Sequence, residues 1–305
     1  MIVQETYTLN SKVEIPKLGL GTWFIENDDA GKAVKEALKI GYRHIDTAQA
    51  YQNEEGVGKG ISESGVDRSE IFVTTKLAAE VKSYDEAVAA IDKSLDVMGL
   101  DYIDLMIIHS PKPWQDFQGK ERFFEGNLEA WKALEEAYEA GKLKAIGLSN
   151  FEIEDVKNIL ENGSVKPAVN QILAHITNVP KETIAYCEEN DILVEAYSPI
   201  GHGELFKNDE VMKLAEKYGV SVPQLAIRFD LQLGLLPLPK TANPDHMKNN
   251  AELDFEISEE DMDALQGLEK IEDYGEAIRL NKLIKLYLNS EYHKCSGYYN
   301  MRGVA

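Results

Sequence analysis

The sequence is poor in cysteine: Cys187 and Cys295 are the two in the chain, and no Cys-x-x-Cys occurs. A disulfide framework and a cysteine zinc site are therefore not expected, and two free thiols in a reducing compartment are. Positive charge is also scarce. Against 53 Asp and Glu stand 32 Lys and Arg, a formal net charge of −21. Phosphate backbones and anionic membranes repel such a chain, so neither nucleic acid nor membrane is an expected partner. No apolar run approaches the ~20 residues that cross a bilayer. The first residues, Met1-Ile2-Val3-Gln4-Glu5, lack the basic and apolar regions of a signal peptide. The expected setting is the cytoplasm. The expected state is a monomer, with a dimer as the alternative, and the expected partner is a small molecule.

Hydrophobic residues make up 44% of the chain and charged residues 28%, an ordinary globular balance. The 305 residues fit two domains of ~150 or one large α/β barrel. Short apolar runs alternate with amphipathic stretches throughout. Strands are predicted at 18–23, 44–48, 71–76, 102–109, 144–149, 168–172, 192–197 and 235–240. Several are apolar almost without a break, which suits strands covered on both faces. Helical patterns lie between them, at 29–39, 85–98, 128–140, 181–189 and 209–218. Gly41, Gly99, Gly141 and Gly219 follow their ends as stop signals.

Eight such units, with no Pro/Gly/Ser-rich linker between them, predict a single α/β domain, a (β/α)₈ TIM barrel. A doubly wound sheet is the alternative. Residues 1–17 read as an N-terminal hairpin turning at Asn10-Ser11. The barrel is assigned to residues 1–275 and a C-terminal extension to 276–305. In that extension five basic residues face two acidic ones, reversing the charge of the chain. Ile278, Leu280, Leu283, Ile284, Leu286 and Leu288 recur there at roughly helical spacing, which predicts a tail helix packed on the barrel. A flap over the active site or a dimer surface is the sharper alternative.

In a barrel of this kind, chemistry sits at the C-terminal ends of the strands. Those ends carry Asp46, Lys76, His109, Ser149-Asn150, Asn170-Gln171, Tyr197-Ser198 and Lys240-Thr241. Each alone is explained as a cap or a solvated strand end. Together they form a ring of titratable and amide groups around one mouth. A metal hydrolase would use His44, Asp46 and His109, but the ligand set is thin, no His-x-x-x-His occurs, and Lys76 would repel the cation. In the other reading Lys76 stays an ammonium paired with Asp46. Tyr51, just beyond the second strand, then lies beside that ammonium, which is expected to lower its pKa from ~10. It can deliver a proton to a developing alkoxide while His109 holds the carbonyl oxygen.

Reduction of a carbonyl in this way needs an external hydride, and so a nicotinamide cofactor. No dinucleotide fingerprint is present: Gly19-Leu20-Gly21 continues as Thr22-Trp23-Phe24. Gly56-Val57-Gly58-Lys59-Gly60 has the look of a phosphate loop, but Asn53 replaces the first glycine and no Ser or Thr follows the lysine. It reads as the start of a helix. Other groups are available. Ser149, Asn150 and Gln171 suit a carboxamide, and Tyr197 offers a flat face for a ring. Lys240, Thr241, Asn243 and His246, at a predicted helix start, suit a phosphate.

Three ordered segments resemble signatures of the aldo-keto reductase family: 41–58 with Asp46 and Tyr51, 98–111 with His109, and 238–241 with Lys240 and Thr241. Gly147-Leu148-Ser149-Asn150-Phe151 and Ala196-Tyr197-Ser198-Pro199 add to the resemblance, which spans about residues 7–270 and is strongest to the bacterial members. It implies a (β/α)₈ barrel, no metal, and NADPH-dependent reduction of aldehydes or ketones; acceptance of NADH as well is expected from the departure at His246 below. It implies a tetrad of Asp46, Tyr51, Lys76 and His109. It implies cofactor contacts from Thr22, Asp46, Ser149, Asn150, Gln171, Tyr197, Ser198, Pro199, Ile200, Lys240, Thr241, Asn243, His246 and Asn250. The expected substrate walls are Trp23, Tyr51, His109 and Trp114.

Four departures from the family pattern bear on specificity. Ser110 stands where a tryptophan is usual, and Ala78 where another is. A roomier pocket is therefore expected, with Trp114 replacing part of the missing wall. His246 stands where an arginine often reads the 2′-phosphate. An imidazole carries little charge at pH 7, so a weaker preference for NADPH is expected. The family's glutamate and proline after Gln171 are lost, and His175 is expected to be structural. A cofactor-binding redox sensor acting through a protein partner, with little turnover, is the alternative function.

Overall fold

A computed structural model describes residues 2–274. The predicted tail helix, its boundary at 275 and Cys295 lie outside the described residues. The hairpin is β1 (Thr6–Thr8) and β2 (Glu14–Pro16), antiparallel with Tyr7 opposite Ile15. The parallel strands are β3 (Leu20–Gly21), β4 (His44–Asp46), β5 (Phe72–Leu77), β6 (Leu105–Ile108), β7 (Ile146–Ser149), β8 (Val169–Leu173), β9 (Leu193–Tyr197) and β10 (Leu236–Leu238). They pair in chain order. A bridge between Gly21 and Lys240, with Gly21 N donating to the Pro239 carbonyl at 3.0 Å, joins the first strand to the last and closes the barrel.

Ten helices surround it among the described residues: α1 (Asn27–Ile40), α2 (Glu54–Ser62), α3 (Tyr84–Met98), α4 (Phe124–Glu139), α5 (Ile153–Asn162), α6 (Lys181–Glu189), α7 (Asp209–Tyr218), α8 (Val222–Gln232), α9 (Pro244–Ala251) and α10 (Glu259–Gln266). Local chemistry sets several of their ends. Asn208 caps α7 by accepting from the backbone N–H groups of Glu210 and Val211. Gly219, at φ 68°, stops the same helix in the left-handed region. Ser221 and Gln224 form a capping box on α8. None of the described helices is long and apolar enough to cross a membrane.

All eight predicted strands are present, but most are shorter than expected. The ladder ends at Gly21, Asp46, Ile108 and Leu238. The polar residues beyond those points leave it and turn over the mouth. The glycines of 56–60 serve packing, as expected of a helix. A Cβ at Gly56 would fall on the backbone of Asn27 at the start of α1, and one at Gly58 on Met98 at the end of α3.

The hairpin plugs one end of the barrel. Leu9 and Ile15 pack with Phe72, Leu105, Ala168 and Leu236, residues at or near the starts of their strands. Asn10 ties the turn down by donating to the carbonyls of Pro167 and Asp191 at 2.8 and 2.9 Å. With that end filled by apolar side chains, the polar ends of the strands lie at the other mouth.

Candidate active site

Strand register brings the central side chains together. Asp46 pairs across to Gly21 on one side and Thr74 on the other. Lys76 lies within β5 opposite Ile107, one residue before the strand's end rather than at it. Gln171 pairs with Ser149 on β7 and Glu195 on β9. Tyr51 arrives from outside the sheet, on a 3₁₀ turn of residues Gln49–Tyr51.

Lys76 is the hub. Its Nζ donates to Asp46 Oδ1 at 2.6 Å, to the Thr47 carbonyl at 2.8 Å and to Tyr51 Oη at 3.2 Å. An ammonium has three N–H donors, and all three are used here. Burial opposes the charged form of Lys76, but Asp46 and Tyr51 outweigh it, and the pKa stands above its ordinary value. The expected lowering of the Tyr51 pKa is not found. Burial raises it, the pull of Lys76 acts the other way, and the charge of Asp46 offsets part of that pull. The ammonium acts on the phenol as half of an ion pair, not as a free cation. The phenol therefore keeps its proton.

His109 stands across from Tyr51, ring centroids 5.6 Å apart. Burial and the Lys76 charge hold its pKa well below the ordinary value, so the imidazole is neutral. Its Nδ1 is buried without a hydrogen-bond partner. His44 is elsewhere engaged, with Nε2 2.9 Å from Thr74 Oγ1. Among the described residues, no three His, Cys, Asp or Glu side chains gather as a metal site.

The amide set lies beside the tetrad. Gln171 Nε2 donates to Asp46 Oδ2 at 2.9 Å and to Glu195 Oε2 at 2.8 Å. Asn150, at φ 60°, donates to the His109 carbonyl and to Ser149 Oγ, both at 3.0 Å, and accepts from Tyr197 at 2.8 Å. Tyr197 is thereby tied to Asn150, and Ser198 follows at φ 54°. Pro199 is buried and Ile200 half-buried at the start of the next loop. Thr22 donates to the Asp46 carbonyl at 2.9 Å.

A second group lies around the barrel seam. Lys240 is exposed beside Gly21, and Thr241 Oγ1 accepts from the Asn243 N–H at 3.0 Å. Asn243 caps α9 by accepting from the Asp245 N–H. His246 is exposed in the first turn of α9, and Asn250 is buried further along it. Positive charge, hydroxyl and a helix N-terminus thus occupy one side of the mouth.

The aromatic walls divide in two. Trp114 meets His109 edge to face at 5.1 Å and Phe117 at 5.5 Å, and Ser110 is buried. Ser110 itself holds the loop, its Oγ donating to the Lys112 carbonyl. Trp23 packs instead on Phe24 at 4.3 Å and His202 at 5.6 Å. Tyr274 continues that row, 5.4 Å from His202, and its hydroxyl lies 3.0 Å from His175 Nε2. His175 is thus a structural histidine. Glu195, His202, Phe117 and Tyr274 are site neighbours that pattern reading missed. Glu195 had a signal: it is the one acid in the apolar run 192–197, two residues before Tyr197.

The aldo/keto reductase family model matches residues 17–270 of the chain. The chain is 42% identical over 275 residues to the glyoxal reductase of Bacillus subtilis (strain 168), covering 90% of this chain and 96% of that protein. It is similar to a crystal structure of an aldo/keto reductase from Brucella melitensis, with TM-score 0.79 and 40% identity over 86% of this chain and 98% of that one. It is also similar to a Bombyx mori aldo-keto reductase in complex with NADP, with TM-score 0.81 and 33% identity over 90% and 96% of the two chains.

Proposed function

Because this chain belongs to the aldo/keto reductase family, we propose that it reduces aldehydes and ketones to alcohols with NADPH, Tyr51 supplying the proton. The observation that carries the reading is the hydrogen-bonded chain Asp46–Lys76–Tyr51 facing a neutral His109 at the open end of the barrel.

The donor set fits the cofactor. Gln171 Oε1 enters no hydrogen bond among the described residues, so an acceptor is available for a carboxamide N–H. Ser149 and Asn150 flank it, Tyr197 provides the platform for the ring, and Lys240, Thr241, Asn243, His246 and Asn250 stand where the phosphates would be held. Thr22, Ser198, Pro199 and Ile200 complete the groove. When bound, NADPH supplies the hydride that reduces the carbonyl carbon.

The protein's own part follows from the hydrogen bonds. His109 Nε2 holds the carbonyl oxygen, and Tyr51 gives it the proton as negative charge develops. Lys76 steadies the phenolate left behind. Asp46 keeps Lys76 charged and fixed in a site where an unpaired ammonium would be costly. Trp23 and Trp114 wall the pocket, and small dicarbonyls of the glyoxal type are the first substrates to try. The domain reading is a barrel over 1–275 with 276–305 as an extension. The setting is a reducing cytoplasm, which suits the free, buried Cys187, and the proposed state is a monomer. No observation favours the redox-sensor alternative.

Loss of nicotinamide absorbance with NADPH, then NADH, over a panel of glyoxals, aldehydes and ketones tests the reading. Consumption with some carbonyls supports it. Tight NADPH binding with no turnover on any of them would contradict it.

A further inference from the structure

Glu195 is fully buried in the barrel, in β9 beside Gln171 of β8. The single nitrogen Gln171 Nε2 spans two carboxyl groups, Asp46 Oδ2 at 2.9 Å and Glu195 Oε2 at 2.8 Å. An amide nitrogen carries two N–H donors, and both are consumed. With the amide turned over, its oxygen would face two carboxyl oxygens. Asp46 alone would secure one N–H and leave the other free. Two acceptors on one nitrogen fix the orientation.

We propose that Glu195, buried in β9 beside Gln171, is a positioning residue that sets which way round the Gln171 carboxamide sits, so that its oxygen is presented to the nicotinamide carboxamide. The inference rests on the reading of Gln171 given above.

The state of Glu195 follows from its surroundings. Its Oε1 is buried with no hydrogen-bond partner, a costly place for half of a carboxylate charge and an easier one for a hydroxyl. The charged groups facing it are Asp46 from β4 and Lys76 from β5; β8 contributes neutral Gln171, and β10 pairs through apolar Leu236. Burial, then the Asp46 charge, raise its pKa to about 8, against the smaller pull of Gln171 and Lys76. At neutral pH it is an acid that accepts the Gln171 N–H without adding a second negative charge beside Asp46. Above that pH the added charge favours the positively charged oxidised ring over the neutral reduced one.

The test is cofactor binding without substrate, read by quenching of tryptophan fluorescence with NADPH and NADP⁺ from pH 6 to 9, in wild type, Glu195→Gln and Glu195→Val. In wild type the ratio of the two affinities changes with an inflection near the Glu195 pKa of about 8. Glu195→Gln keeps the acceptor but cannot ionise, so it holds NADPH at pH 7 like wild type and loses the inflection. Glu195→Val removes the acceptor and weakens NADPH about fivefold, the scale of one hydrogen bond. An inflection unchanged in Glu195→Gln overturns the proposal, and so does undiminished NADPH affinity in a folded Glu195→Val. Should the valine variant not fold, the pH profile of the glutamine variant decides alone. Wild type that binds NADPH at no pH contradicts the reading of the groove, and this inference with it. Binding that is intact in wild type and indifferent to both variants defeats this inference only.

Discussion

Lys76 Nζ donates to Asp46 Oδ1 at 2.6 Å, with the two side chains only 1% and 5% exposed. A pair so deeply buried is held together by necessity, since neither charge has water to turn to.

Asp46→Asn should therefore destabilise the protein by about 3–5 kcal/mol by leaving a buried ammonium without its counter-charge. Urea unfolding at pH 7 measures this. A loss under about 1 kcal/mol would mean that water reaches Lys76 in the variant.

The pH dependence follows from the two neutral rings. Tyr51 is raised by burial and His109 is held well below its ordinary value. With Tyr51 as the proposed proton donor, its acid form is required for reduction and is lost only as pH rises through a pKa above ~10. The imidazole gains its proton only well below ~6.5. Reduction at saturating cofactor should thus be level between about pH 6 and 8 and fall in strong alkali. A descending limb near neutrality would show that Tyr51 ionises more readily than its burial allows.

His246 lies exposed in the first turn of α9. His246→Arg should raise the preference for NADPH over NADH about tenfold by placing a fixed charge near the 2′-phosphate. The ratio of kcat/KM for the two cofactors reads it out. An unchanged ratio would assign that recognition to Lys240 and Thr241.

Asp230 is a fully buried acid on α8 whose two oxygens have no hydrogen-bond partner. Burial raises its pKa well above the ordinary value. The folded state then binds the proton more tightly than the unfolded one, so its contribution to stability falls as pH rises above ~4. Asp230→Asn removes that titration. Its effect on stability should therefore be more favourable at pH 7 than at pH 5. Equal effects at the two pH values in denaturant melts would contradict a neutral buried Asp230.

Much of this was legible in the sequence, because apolar runs and glycine stops report directly on strands and helices. The eight strands, the hairpin and the helical nature of 56–60 were read correctly. The structure also brings Asp46, Lys76, Tyr51 and His109 together. The strand ends were overextended, since Trp23, Ala48 and His109 are apolar or aromatic in pattern yet lie beyond the ladder. The Tyr51 pKa was misjudged because a sequence shows the neighbouring ammonium but not how far burial and Asp46 oppose it. Tyr274 and His202 meet Trp23 only through packing between distant loops, which no local pattern encodes. Glu195 was visible as a lone acid in an apolar strand, but its partner in the neighbouring strand had to be seen.

The most direct test of the account is Tyr51→Phe, assayed for turnover and for NADPH binding in the same preparation. The substitution removes only the hydroxyl to which Lys76 donates at 3.2 Å. The account predicts a fall in kcat of at least about 100-fold, the usual scale of a positioned general acid, with NADPH affinity unchanged within about twofold. A variant that keeps most of its rate would contradict the assignment of Tyr51 as the proton donor.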